Sequence, residues 1–224
     1  MKFNIKYAAL ALTMGGAALG AQATVLTPYV LTSNVDVVAG SFGGTLLDSA
    51  VTAINNISYN GIARAAVYQT AQGLDFYYQF TNDASSQNGV ERFTGYDFTS
   101  LKSSAVDVYQ TAANFGIFAA GTEKSDYADR TTVGVIGFSF VPNLQSKINP
   151  GTTSYTQIIR TNATHYTEGN FGLLDGIGDN ARGFSPSAVP EPESYALLLA
   201  GLGMVGTIIR RRNSSQGGHR GSWT

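Results

Sequence analysis

The chain has 224 residues with 14 basic and 15 acidic side chains, a formal net charge of −1, and 13% charged residues against about 25% in an average soluble protein. With 26 glycines and 43% apolar residues, this composition excludes a disordered polyelectrolyte, a coiled coil and a nucleic-acid binder. Cysteine is absent and the two histidines are His165 and His219, so there is no disulfide scaffold, thiol nucleophile or cysteine–histidine zinc site, and no cofactor is called for.

At the amino end Lys2 and Lys6 precede an apolar run from Tyr7 to Leu19, followed by Ala21-Gln22-Ala23. The small side chains of Ala21 and Ala23 suit the pocket of signal peptidase, and the run is short of the roughly 20 residues a stable span needs. Residues 1–23 are therefore read as a cleaved signal peptide, with Thr24 as the new start.

Residues 24–188 are read as one exported domain, with eight basic and thirteen acidic side chains. That acidic excess disfavours phosphate-bearing partners. Two-residue alternation dominates. Its clearest case is Leu74 to Phe80, where Leu74, Phe76, Tyr78 and Phe80 are expected to face a core and Asp75, Tyr77 and Gln79 the other side. Further strands are expected at Val25–Leu31, Val35–Val38, Ile62–Gln69, Arg92–Phe98, Ala105–Gln110, Phe115–Ala119, Tyr155–Thr161 and Phe171–Leu174. Val133 to Val141 is apolar on both faces, as in a central strand. Asn82 to Gly89 and Asn143 to Gly151 carry turn residues. Only Leu46–Ile54 and the stretch around Leu101–Ala105 are read as short helices. The expected fold is all-β: a single antiparallel, jelly-roll-like β-sandwich.

Chemistry-bearing patterns in this domain are sparse. Asp175 and Asp179 sit in Asp-Gly-Ile-Gly-Asp-Asn and approach a calcium loop, but no bidentate glutamate closes it, so the loop is read as a glycine turn and no metal is assigned. His165 lacks a nucleophile elbow, and no residue is given a catalytic role. Tyrosines such as Tyr59, Tyr77 and Tyr155 suit sugar stacking or half-buried strands equally. Asn56-Ile57-Ser58 and Asn162-Ala163-Thr164 match the glycosylation sequon by chance.

The carboxyl end has three parts in order: Val189-Pro190-Glu191-Pro192, an apolar stretch from Tyr195 to Ile209, and Arg210-Arg211-Arg212. Two prolines two apart keep the first part extended. The 15 apolar residues would span roughly 22 Å as a helix, short of the roughly 30 Å hydrocarbon core, so this transmembrane helix fits poorly as a permanent anchor. Gly201, Gly203 and Gly206 permit close approach of another helix, and the arginines belong on the cytoplasmic side.

This order, over residues 189–212, resembles the PEP-CTERM sorting signal. The resemblance implies an exported protein of a Gram-negative bacterium, recognised by an exosortase in the inner membrane, relieved of its helix and basic tail, and released to the cell surface or extracellular matrix. It also implies an association with exopolysaccharide and a structural role in the matrix. Residues 213–224 depart from the pattern as a polar extension, read as a disordered tail. A carbohydrate-binding module for the matrix polysaccharide and a polysaccharide hydrolase are the alternatives. Expected partners are signal peptidase, the exosortase and, transiently through residues 195–209, the membrane.

Overall fold

The computed structural model describes residues 24–29, 31–33, 35–38, 43–101, 106–132, 134–141, 147–187 and 196–205. Ala21 and Ala23, the motif Val189, Pro190, Glu191 and Pro192, the cluster Arg210, Arg211 and Arg212, and the tail 213–224 lie outside the described residues.

Thirteen strands form the described part of the domain. They are β1 (Thr24–Leu26), β2 (Leu31–Ser33), β3 (Asp36–Val37), β4 (Thr45–Asn55), β5 (Asn60–Gln69), β6 (Leu74–Asn82), β7 (Arg92–Asp97), β8 (Val106–Thr111), β9 (Tyr127–Arg130), β10 (Val135–Ser139), β11 (Thr156–Arg160), β12 (Tyr166–Asp175) and β13 (Ile177–Pro186). One sheet has the order β1-β8-β11-β6-β5-β4, with β3 also on β8; the other has the order β13-β12-β7-β10-β9-β2. All pairs are antiparallel except β3 on β8.

The two sheets share one core. Ala63, Ala65, Val67, Phe76, Tyr78, Phe80, Val108 and Ile159 from the first sheet join Phe93, Ile136, Phe138, Phe171, Leu173 and Phe184 from the second. Tyr78 stacks edge-on against Phe171 at 5.3 Å, and Phe93 lies 5.0 Å from Phe140. Each such ring contributes about 1.5–3 kcal/mol by leaving water. The likeness to a jelly roll ends with the two-sheet layout: β4-β5-β6 run as a meander and β12-β13 as a hairpin, keeping consecutive strands within one sheet.

Several expectations change in the structure. The stretch read as a helix at Leu46–Ile54 is strand β4. Buried Ala50 and Ile54 have helix-compatible spacing, but β-branched Thr45, Val51, Thr52 and Ile54 and pairing with β5 make it extended. Around Leu101 the described helical part is a 3₁₀ turn, Thr99–Leu101, and 102–105 lie outside the described residues. Val25–Leu31 is split into β1 and β2 by the turn at Pro28-Tyr29, where Tyr29 has φ +69°. Phe115–Ala119 is a tight turn: the amide of each of Phe115 and Phe118 donates to the other's carbonyl, at 3.2 and 2.9 Å.

Strand β6 is buried on both faces, with Asp75 and Gln79 0% exposed and Tyr77 1% exposed. The reason is a second apolar cluster on the outer face of the first sheet. Val38, Ala66, Tyr77, Tyr109, Phe118 and Ile158 pack there with Tyr68, Phe115 and Ile117. The segment 112–126 crosses this face on its way from β8 to β9. Gln79 clamps it at Ala119, donating from Nε2 to the carbonyl at 2.7 Å and accepting the amide on Oε1 at 2.9 Å. Gln110 repeats the arrangement at Ser125, at 2.9 and 2.8 Å.

Strand β10 does lie inside its sheet, between β7 and β9. Its Gly137 leaves room for Arg92 to cross the strand and pair with Asp129, at 2.6 and 2.9 Å. A Cβ at Gly137 would sit 2.0 Å from the Arg92 guanidinium.

Candidate functional site

Asp175 and Asp179 fall at the β12–β13 hairpin tip, turned by Gly176 at φ +66°. Asp175 accepts from Lys147 Nζ at 3.1 Å and from Ser58 Oγ at 2.8 Å, and Lys147 also reaches Glu91 at 2.6 Å. Hydrogen bonding to Glu91 raises the Lys147 pKa, and pairing with Asp175 adds to it. Asp179 accepts from its neighbour's amide, Asn180 N, at 2.8 Å and from Asn56 Nδ2 at 3.4 Å. Tyr59 donates to the Leu173 carbonyl at 2.7 Å, and burial pushes its pKa up to about 12. These contacts dock the hairpin on the 56–59 turn, where Asn56 Oδ1 accepts from the amides of Ser58 and Tyr59. Both carboxylates thus serve a structural joint. No group of three or more His, Cys, Asp or Glu side chains suited to a metal occurs among the described residues.

His165 lies in the link before β12, exposed, with Thr164 Oγ1 at 2.9 Å from its Nδ1. No acid orients it. Of the tyrosines weighed for sugar stacking, Tyr59, Tyr77 and Tyr109 are buried, while Tyr68, Tyr127, Tyr155 and Tyr166 are half-buried. Tyr29 is 76% exposed.

A polar cleft opens where the outer face of the first sheet meets the β5–β6 turn. Arg160 forms its centre. The guanidinium grips Asp75 with Nε at 3.1 Å from both carboxylate oxygens and Nη2 at 2.8 Å from Oδ2, and it stands 5.7 Å from the Tyr109 ring centroid. Burial pushes the Asp75 carboxyl up against the pull of Arg160, whose own pKa is raised by the hydrogen bond to Asp75. On one side of Arg160 a cavity of about 360 Å³ extends to the 43–45 segment and to 69–72. On the other a cavity of about 220 Å³ is lined by Gln72, Asp107, Thr161 and Asn162.

The register places this cleft. Asp107 on β8, Arg160 on β11, Asp75 on β6, Tyr68 on β5 and Leu46 on β4 are direct cross-strand neighbours in one row. No local motif marks these residues; only strand pairing brings them together.

Beyond the domain the described part of the tail is a helix, 196–205. Every residue in it is exposed, including Leu197 at 74% and Leu199 at 69%. A Cβ added at Gly201 or Gly203 would meet nothing within 4 Å. Among the described residues no helix is long and apolar enough to cross a membrane.

Comparison with family models finds the PEP-CTERM protein-sorting motif at residues 188–212. The chain therefore carries the signal of an exported, exosortase-sorted protein directed to the cell envelope or surface. Neither the curated proteins nor the solved structures compared with the chain give a match.

Proposed function

We propose that the chain is a structural surface or matrix protein of a Gram-negative cell, handled as the substrate of two processing enzymes rather than acting as a catalyst. Signal peptidase removes residues 1–23 after Ala23. The β domain then folds outside the inner membrane while residues 195–209 lodge in the bilayer, with Arg210 to Arg212 held on the cytoplasmic side. The span is too short for the hydrocarbon core, so it sits under mismatch and at modest cost. Its glycines let the exosortase approach closely, and Val189 to Pro192 present an extended peptide for cleavage. Release carries the domain to the surface or to the extracellular matrix with its exopolysaccharide.

The observation that carries this reading is the motif at 188–212, joined to a domain that buries its own core and to a helix that exposes its leucines. An apolar helix of that kind belongs in lipid or against another helix. Replacing both Pro190 and Pro192 with alanine should leave full-length protein in the membrane fraction of its native host. Undiminished shortening and release of that variant would defeat the proposal.

A further inference from the structure

We propose that the cleft around Arg160 binds a neutral, hydroxyl-rich carbohydrate chain. Three side chains that line it, Gln72, Asp107 and Asn162, make no hydrogen bond and no ion pair within the described residues. They come from the β5–β6 turn, from β8 and from the residues after β11, and they converge on one cavity. Arg160 between them is fixed by its three contacts to buried Asp75, so the guanidinium is already positioned.

The lining decides the ligand class. Two amides offer donors and acceptors together, and Asp107 is acceptor-only. A sugar hydroxyl donates to a carboxylate and both donates to and accepts from an amide, so adjacent hydroxyls satisfy Gln72, Asp107 and Asn162 together. An anionic ligand would meet Asp107, with Asp75 behind it. A cation would meet Arg160, and one carboxylate falls short of the six to eight oxygens calcium takes. An apolar ligand would strand the amides.

Shape agrees with a chain rather than a single ring. The two cavities share Gln72 and Arg160, and their lining reaches from Asp107 on β8 to Thr45 at the start of β4, strands that stand four spacings or roughly 19 Å apart in the sheet. The cavity of about 360 Å³ falls in the size range of small-molecule sites. Among the described residues Asp107 is the one carboxylate on the lining and Asp75 is wholly buried, so these residues offer binding groups and no acid–base pair for hydrolysis. This inference is independent of sorting, and its failure would leave release of the domain unaffected.

The test uses the full chain in a detergent without a sugar headgroup, titrated calorimetrically with cellohexaose, maltohexaose and a dextran oligomer, with a polygalacturonate oligomer as the anionic control. At least one neutral oligomer should bind, and more tightly than polygalacturonate. The double substitution Gln72→Ala/Asn162→Ala, at two exposed positions, should weaken that binding about tenfold without moving the melting temperature. If the double variant unfolds, Asp107→Asn read on its own should weaken binding at least threefold. Absence of binding by every neutral oligomer, preference for the anionic one, or unchanged affinity in the substituted proteins overturns the proposal.

Discussion

The pair Asp75–Arg160 shows how a single residue can hold two parts of the molecule at once. Asp75 is completely buried on the middle of the first sheet, and the Arg160 side chain is 17% exposed, so neither charge has much water to turn to. Removing one partner of such a pair leaves the other uncompensated, which costs about 3–5 kcal/mol in a dry site. Partial exposure of Arg160 places Asp75→Ala near the low end, about 3 kcal/mol, read as a lower urea midpoint. Replacing both, as Asp75→Leu with Arg160→Met, should recover a large part of that loss, because an apolar pair of similar volume needs no compensation. A double variant that loses the sum of the two single effects would show that the two side chains act independently. The double variant would also remove the fixed guanidinium from the cleft, so its stability and its sugar affinity should move in opposite directions relative to Asp75→Ala.

Among the elements, the segment 112–126 depends most on side chains far from it in sequence. Gln79 and Gln110 each present an amide edge-on to one backbone position, a donor and an acceptor used together, so both ends of the clamp are satisfied without a strand. Gln79→Leu keeps the volume and strands the Ala119 amide and carbonyl, a cost of about 1–3 kcal/mol. Hydrogen exchange across 112–126 should quicken in that variant while β5 and β12 keep their protection. Uniform loss of protection across the domain would mean the segment belongs to the global unfolding unit. This clamp also explains where sequence reading stopped. Strand β6 is visible from its alternation, and β5 and β11 from their apolar runs, but the burial of Asp75, Tyr77 and Gln79 on the second face is not, because nothing local announces that a later loop will cover them. Strand β4 was hidden by leucine and alanine at helix-compatible spacing. Strand β13 was hidden by its glycines and polar residues, and it forms because the turn at Gly176 lays it along β12. The sorting motif was legible because its parts are contiguous and ordered by membrane physics. The cleft was not, because cross-strand register assembles it from residues as far apart as Gln72 and Asn162.

At the scale of the whole molecule, the feature that sets this domain's response to its surroundings is a core stocked with tyrosine. Tyr78 is fully buried with its hydroxyl donated to the Phe184 carbonyl, and burial pushes its pKa well above the ordinary value. Burial likewise raises Tyr68 and Tyr109, the latter with help from Asp107, and takes Tyr59 from 10.0 to about 12. A folded state that keeps a proton the unfolded chain gives up loses stability as pH rises between the two values. For Tyr59 that loss begins near pH 10 and comes to roughly 2 kcal/mol by pH 12. The other three tyrosines steepen the fall, so the urea midpoint should be nearly flat between about pH 7 and 9 and drop sharply above 10. Tyr59→Phe isolates one contribution. At neutral pH it gives up the hydrogen bond to Leu173, a loss of about 1 kcal/mol, but it has no proton to lose. Its stability should therefore approach that of the unsubstituted protein through pH 10 and exceed it near 12. Parallel curves for the two proteins would mean that the Tyr59 hydroxyl ionises as easily inside the fold as outside it, and that the 56–59 turn and the hairpin it holds open to solvent before the core does.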